Sequence, residues 1–209
     1  MRSSVRNSCS FLLHPSAGFA LGWRSSCSLC LLIWAAAGIL AAPTASAQSG
    51  AKGAFAMVFT LRSSDFPNGA DIPRQFTCSG EDRSPALEWK DAPAGTKSFA
   101  LIADDPDAPV GTWVHWVIFN IPASAHSLHG GIEKKEQLAD GTRQGQNDFR
   151  KIGYNGPCPP PGKSHRYFFK LYALSSELSL SPGATKSAVE KAMEGRILGQ
   201  DEWMGRFQR

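Results

Sequence analysis

A mainly β fold, an antiparallel sandwich of two sheets with a few short helices, is the class this chain predicts. Three observations carry that expectation. From residue 55 onward the sequence breaks into short runs rich in aliphatic and aromatic residues, separated by Pro, Gly, Asn and Asp. One segment near the C-terminus shows the apolar spacing of a helix. There is no internal repeat, and the only low-complexity tract is Pro159-Pro160-Pro161. Many strands and one late helix fit two packed antiparallel sheets better than alternating α/β layers.

The first 47 residues stand apart from that domain. They contain no Asp or Glu, and their only basic residues are Arg2, Arg6 and Arg24. Residues 29–42 are almost wholly apolar and lead into Ala45-Ser46-Ala47, the small-x-small pattern of a signal-peptidase site. Residues 1–47 therefore read as a secretory signal removed before Gln48. The apolar run is shorter than the ~20 residues a membrane span needs, so no stable span is expected after cleavage. Cys30 precedes most of the run, which does not fit a lipoprotein. The mature chain would be exported, periplasmic or secreted, and 162 residues long, one domain's length.

Loss of the signal changes the balance of charge and thiols. Lys plus Arg falls from 22 to 19 against 18 Asp plus Glu, leaving a net charge near +1. No basic run or arginine cluster remains, so nucleic acid is not an expected partner. Cys9, Cys27 and Cys30 leave with the signal, and Cys78 and Cys158 stay. Two cysteines in an exported domain suggest one disulfide. Its long loop would be worth about 4 kcal/mol in the chain-entropy treatment. Two free thiols facing one pocket are the alternative.

The elements follow in order. Residues 48–56 are a small, polar lead-in to a domain at 57–209. Residues 56–61 form a first strand, followed by a turn at Pro67-Asn68-Gly69. Residues 72–76 read as a second strand, and 86–89 as a third, closed by Ala92-Pro93-Ala94-Gly95. Residues 98–103, 112–121 and 166–173 give the fourth, fifth and sixth. Between the last two, 123–149 is polar and aperiodic, a long surface excursion of the kind that often carries function. The helix is expected over 185–194. It follows Ser181-Pro182-Gly183, places Ala188, Val189 and Ala192 on one face, and stops at Gly195.

Two segments hold the polar chemistry. One is Asp104-Asp105-Pro106-Asp107-Ala108-Pro109, followed by Trp113-Val114-His115-Trp116. The other is Gly156-Pro157-Cys158-Pro159-Pro160-Pro161-Gly162, followed by His165-Arg166-Tyr167. Strand alternation puts His115 on one face with Trp113, Val117 and Phe119, and puts His165 with Tyr167 and Phe169. If 98–103 and 112–121 form a hairpin, residue 103 lies opposite about 115. Asp105 and His115 then become diagonal neighbours. That reasoning alone does not bring His165 and Tyr167 to the same place.

These motifs resemble the phosphatidylethanolamine-binding protein family, in its bacterial, Raf kinase inhibitor-like branch. The matching residues are Asp105-Pro106-Asp107-Ala108-Pro109, Trp113-x-His115 and Gly156-Pro157-x-Pro159-Pro160-x-Gly162-x-x-His165-Arg166-Tyr167. Phe76-Thr77-Cys78-Ser79-Gly80, Ser84-Pro85-Ala86-Leu87-x-Trp89 and the closing Gly205-Arg206-Phe207-Gln208-Arg209 match as well. The resemblance spans about 57–209. It implies a sandwich with a small pocket at one end, lined by Asp105, Asp107, His115, Gly156, Pro157, His165 and Tyr167. It also implies that the pocket takes phosphate-like anions and phosphorylated head groups.

The residue types suit such a ligand. Two imidazoles donate to anionic oxygens and titrate near neutrality, and a phenol donates without changing charge. Bare carboxylates at Asp105 and Asp107 would repel an anion and need compensation. The proline-rich loop lacks amide donors and the Gly-Lys-Ser/Thr ending of a phosphate-cradling loop, so it reads as a stiff rim. Asp105 and Asp107 could instead serve only as turn residues, and His126 and His129 read as solvated. No closely spaced ligand pair calls for a metal, and no cofactor is expected. The leading function is an exported binding protein for a small anionic or phosphorylated ligand, with a protein partner engaged through the same rim. The alternatives are a hydrolase built on Asp105 and His115, and a protease inhibitor acting through a surface loop. No Gly-x-Ser-x-Gly elbow is present for the first, and no inhibitory loop stands out for the second.

Overall fold

The computed structural model describes residues 58–209. The expected signal (1–47) and the lead-in to residue 56 lie outside the described residues. Nine strands and one helix follow: β1 (Thr60–Arg62), β2 (Leu87–Lys90), β3 (Ser98–Asp105), β4 (Trp113–Pro122), β5 (Ser127–Leu128), β6 (Arg143–Gln146), β7 (His165–Leu174), β8 (Gly183–Thr185), α1 (Lys186–Met193) and β9 (Ile197–Phe207). They form a three-stranded sheet, β1-β2-β5, and a six-stranded sheet, β8-β6-β4-β3-β7-β9. All pairings are antiparallel except β6 with β8.

The sheets bury one shared apolar layer. Leu61, Leu87 and Trp89 of the small sheet pack with Phe99, Trp116, Ile118, Phe169 and Leu171 of the large one. Trp89 and Phe99 meet across the layer with ring centroids 5.2 Å apart. A second layer covers the other side of the large sheet, where Ile102, Val117 and Phe119 pack under Val189 and Met193 of α1. Strand β3 is therefore buried at all eight positions. This explains why 98–103 reads as a continuous apolar run rather than an alternating one.

The expected strands at 56–61, 86–89, 98–103, 112–121 and 166–173 are present with shifted ends, and the expected helix is α1. Thr185 is its N-cap, with the hydroxyl accepting from the Ala188 N–H at 3.4 Å. Four features differ from expectation. Residues 72–76 are not a strand: after an isolated bridge between Asp71 and Arg206, Arg74–Phe76 form a 3-10 turn. Pro73 opens that turn because its φ is fixed and it has no N–H for a ladder. The stretch 123–149 is not a structureless excursion. It contributes β5 and β6, and it buries Leu128, Ile132, Thr142 and Gln144. Gln144 is tolerated inside because its amide donates to the carbonyls of Glu133 and Lys135 and accepts from Trp116 Nε1.

β9 was not expected. It pairs along the whole of β7, from His165 with Phe207 to Leu174 with Ile197. Charged Asp201, Glu202 and Arg206 break its pattern, as suits an exposed edge strand. Fourth, β4 does not alternate simply. Ala103 pairs with Trp116 but Asp104 pairs with Val114, so His115 bulges out of the ladder. A second irregularity lies near Asn120, whose φ is +54. His115, which meets Tyr167, consequently does not share a face with Val117 and Phe119 as alternation predicts; those two turn toward α1, away from the side of Trp116 and Ile118.

Cys78 and Cys158 form a disulfide, with Cα atoms 5.4 Å apart and a sequence separation of 80. No helix among the described residues is long and apolar enough to cross a membrane. Closing so long a loop restricts the unfolded chain. Reduction is therefore expected to lower stability by about 4 kcal/mol and the unfolding midpoint by roughly 10 °C. Thermal unfolding with and without reductant checks this, and an unchanged midpoint would refute it.

Candidate functional site

The end of β3, the bulge of β4 and the start of β7 meet at one end of the large sheet's central strands. Asp105 closes β3, His115 sits in the β4 bulge and His165 opens β7. These three line a cavity of about 220 Å³. Its rim is apolar, formed by Ala108, Pro109, Val110, Trp113, Phe149, Cys158, Pro159 and Pro160. A wider cleft elsewhere, beside Asp71, Arg74 and Arg206, contains no histidine.

Each imidazole is held through Nδ1. His165 Nδ1 lies 2.8 Å from Asp105 Oδ2, with both side chains buried. The other carboxylate oxygen of Asp105 accepts the Asp107 N–H at 2.8 Å and shapes the start of the loop. His115 Nδ1 lies 2.6 Å from the Asn155 carbonyl. A carboxylate and a carbonyl accept only, so both Nδ1 atoms carry their protons. Neither Nε2 atom has a hydrogen-bond partner among the described residues. The His115 ring also stands edge-on to Tyr167 and Phe149, with centroids 5.2 and 5.3 Å away.

The expected pair was Asp105 with His115; the structure pairs Asp105 with His165 instead. His115 lies in the bulge, between the pairs Ala103–Trp116 and Asp104–Val114, and lines the same cavity as Asp105, but it is His165 on the neighbouring strand that takes the carboxylate.

The remaining residues expected at the site play different parts. Asp107 faces Arg166 on the surface, accepting from Nη2 at 2.7 Å, Nε at 2.8 Å and the backbone N–H at 3.0 Å. The Arg166 guanidinium holds its carboxyl at about 2, so Asp107 is a rim ion pair. Tyr167 is buried behind His115, and its hydroxyl has no hydrogen-bond partner. Burial first, and then the Asp105 carboxylate, push this phenol well up, so it remains a protonated donor.

Gly156 and Pro157 are buried in the frame behind the rim. The Pro157 carbonyl accepts the Cys78 N–H at 3.1 Å. Trp113, Phe149, Asn155 and Val110 belong to the site without having been singled out. Trp113 sits inside the Trp-x-His motif and could have been found there. Phe149 lies in the polar stretch where no pattern marks it. Among the described residues, no three of His, Cys, Asp and Glu converge as a metal would require.

Comparison with known proteins identifies the family. The model of the phosphatidylethanolamine-binding protein family matches residues 62–208, and the chain belongs to that family. A UPF0098 protein of Aquifex aeolicus is 50% identical over 161 residues, covering 76% of this chain and 92% of the relative. One from Methanothermobacter thermautotrophicus is 49% identical over 149 residues, covering 71% and 98%. Among solved structures, a phosphatidylethanolamine-binding protein homologue of Chlamydia trachomatis superposes with a TM-score of 0.67 at 37% identity, covering 73% of this chain and 98% of its own. YbcL of E. coli, described as a new member of the mammalian family, gives 0.69 at 31% identity, covering 73% and 99%. None of these relatives carries an enzyme's name.

Two predictions follow from the packing and from the histidine. A Cβ at Gly156 would run into the Phe76 carbonyl, backbone that cannot step aside. Gly156→Ala is expected to cost about 3 kcal/mol in urea unfolding, and a loss under a third of that would refute the contact. Burial favours the neutral form of His115 and lowers its titration below 6.5. The unfolded chain then takes up the proton first as pH falls. His115 leaves stability untouched well above 6.5 and subtracts from it progressively below. The acid side of the stability profile should flatten in His115→Gln; an identical profile would show that the ring does not titrate this way.

Proposed function

We propose that this protein is an exported binding protein that holds a small anionic or phosphorylated group in the cavity between His115 and His165. The observation that carries this reading is the shared commitment of both Nδ1 atoms within the protein, which leaves two Nε2 atoms at one small cavity. A neutral Nε2 accepts from a ligand hydroxyl, and a protonated one donates to a ligand oxygen. The pair can match either protonation state of a phosphate monoester.

The carboxylates no longer oppose such a ligand strongly. An uncompensated charge at Asp105 would repel a phosphate charge 5 Å away by about 3 kcal/mol at an effective dielectric of 20. Asp105 is bonded to His165, and Asp107 is neutralised by Arg166. The apolar rim excludes water and strengthens whatever polar contacts form inside. Export is supported by the N-terminal apolar segment with Ala45-Ser46-Ala47 and by the disulfide, which persists in oxidising compartments. Val110, 79% exposed on the rim, offers an apolar contact for a protein partner. The hydrolase alternative drawn on Asp105 and His115 lacks a hydrogen bond between those two side chains, since Asp105 holds His165, and it would need the Asp105–His165 pair as its base instead. No feature of the described loops favours protease inhibition.

Calorimetric titration with phosphate, phosphoethanolamine and phosphoserine should show saturable binding that weakens at least about tenfold in His115→Ala. Bound anion should also raise the His115 titration midpoint, read by NMR, because it favours the imidazolium. No heat and no shift with any of the three ligands would overturn the proposal.

A further inference from the structure

The loop after the 3-10 turn carries a residue in an unusual conformation. Asp82 has φ +56, in the left-handed region that side-chain-bearing residues seldom occupy. Its carboxylate points at the Asn155–Gly156 segment that supports His115. Oδ1 accepts the Gly156 N–H at 2.6 Å, and Oδ2 accepts Asn155 Nδ2 at 2.9 Å. Lys134 Nζ pairs with Oδ2 from the solvent side at 2.8 Å.

The peptide unit between Asn155 and Gly156 is thus gripped from both sides. Its N–H donates to Asp82, and its carbonyl accepts from His115 Nδ1 at 2.6 Å. Linked hydrogen bonds polarise one another, so an anion on the N–H makes that carbonyl a better acceptor. Asn147 braces the same segment through Asn155 Oδ1 at 2.9 Å.

The geometry points to Asp82 as a positioning residue for the cavity: through the Asn155–Gly156 peptide, its carboxylate holds His115 as the Nδ1–H tautomer and leaves Nε2 for the ligand. The inference rests on reading the cavity as a site for phosphate-type anions. It gives the two imidazoles parallel supports. Asp105 acts on His165 directly, and Asp82 acts on His115 at one peptide's remove. It also gives the strained backbone at Asp82 a role at the site, since such strain persists where surrounding structure imposes it.

The test compares purified wild type with Asp82→Asn and Asp82→Gly. The first keeps an acceptor for the Gly156 N–H but removes the charge. The second removes the side chain and relieves the positive φ, so it preserves the fold if the first does not. Nitrogen-15 NMR above neutral pH should show His115 as the Nδ1–H tautomer in wild type. In the variants the His115 signals should move toward a tautomer mixture while those of His165 stay. Affinity for inorganic phosphate should fall about tenfold. A folded Asp82→Gly protein with unchanged His115 signals and unchanged phosphate affinity would overturn the inference and leave Asp82 as a loop anchor. If wild type binds none of phosphate, phosphoethanolamine and phosphoserine, the proposed function fails, while the tautomer comparison still decides the role of Asp82.

Discussion

Strand β3 is buried on both faces along its whole length, yet it ends in two adjacent carboxylates, Asp104 and Asp105. A buried charge without a partner is among the costliest features a fold can contain. Successive strand residues point to opposite faces, so each carboxylate must find its compensation on its own side. Asp104 is fully buried on the helix side and takes Lys170 Nζ at 2.8 Å and Lys186 Nζ at 2.6 Å. Lys186 is the first residue of α1, and this bond draws the helix N-terminus onto the sheet. Asp105, on the other face, takes His165. Much of the surrounding architecture follows from meeting those two demands at once.

The second constraint is the β4 bulge. In it, His115 leaves the ladder and is taken over by the backbone of Asn155. The segment that supplies this carbonyl is fastened several ways to the loop at 76–82: through Tyr154 hydroxyl to the Phe76 carbonyl at 2.7 Å, through Asp82, through the Cys78 N–H to the Pro157 carbonyl, and through the disulfide. Gly156 lets the two backbones come that close. A bulge in one strand and a close approach between two loops together separate the supports of the two histidines.

What the sequence made legible divides along the same lines. Apolar strands, the helix and its Thr185 cap follow from local pattern, because each is decided by its own residues. Edge strand β9 and the short β5 and β6 do not, since their pairing is fixed by partners far away in the chain and their sequences are polar. The motifs brought Asp105, His115, His165 and Tyr167 to attention, and the structure places all four within one neighbourhood. The pairing between them was beyond reach, because Asp105 and His165 lie 60 residues apart and meet only through the pairing of β3 with β7, which no local pattern gives. Asp82 and Phe149 were illegible for a plainer reason: neither lies in a motif, and their part arises only from where the loops fold back.

The two sides of the cavity are held by interactions of different strength. The side at 154–158 is covalently and sterically fixed. The side at 106–111 rests on the turn formed by Asp105 and on the Asp107–Arg166 pair, whose guanidinium is half exposed. An exposed ion pair contributes about 0–1 kcal/mol and weakens with salt. If the cavity holds the proposed anion, the histidines and the proline rim form the preorganised half that meets its polar group, and the Ala108–Val110 rim is the half that can give way to whatever is attached to it. That division would place selectivity in the imidazoles and tolerance in the loop. It also accounts for the pairing of a buried, fully oriented polar floor with an exposed apolar lip in a single small site.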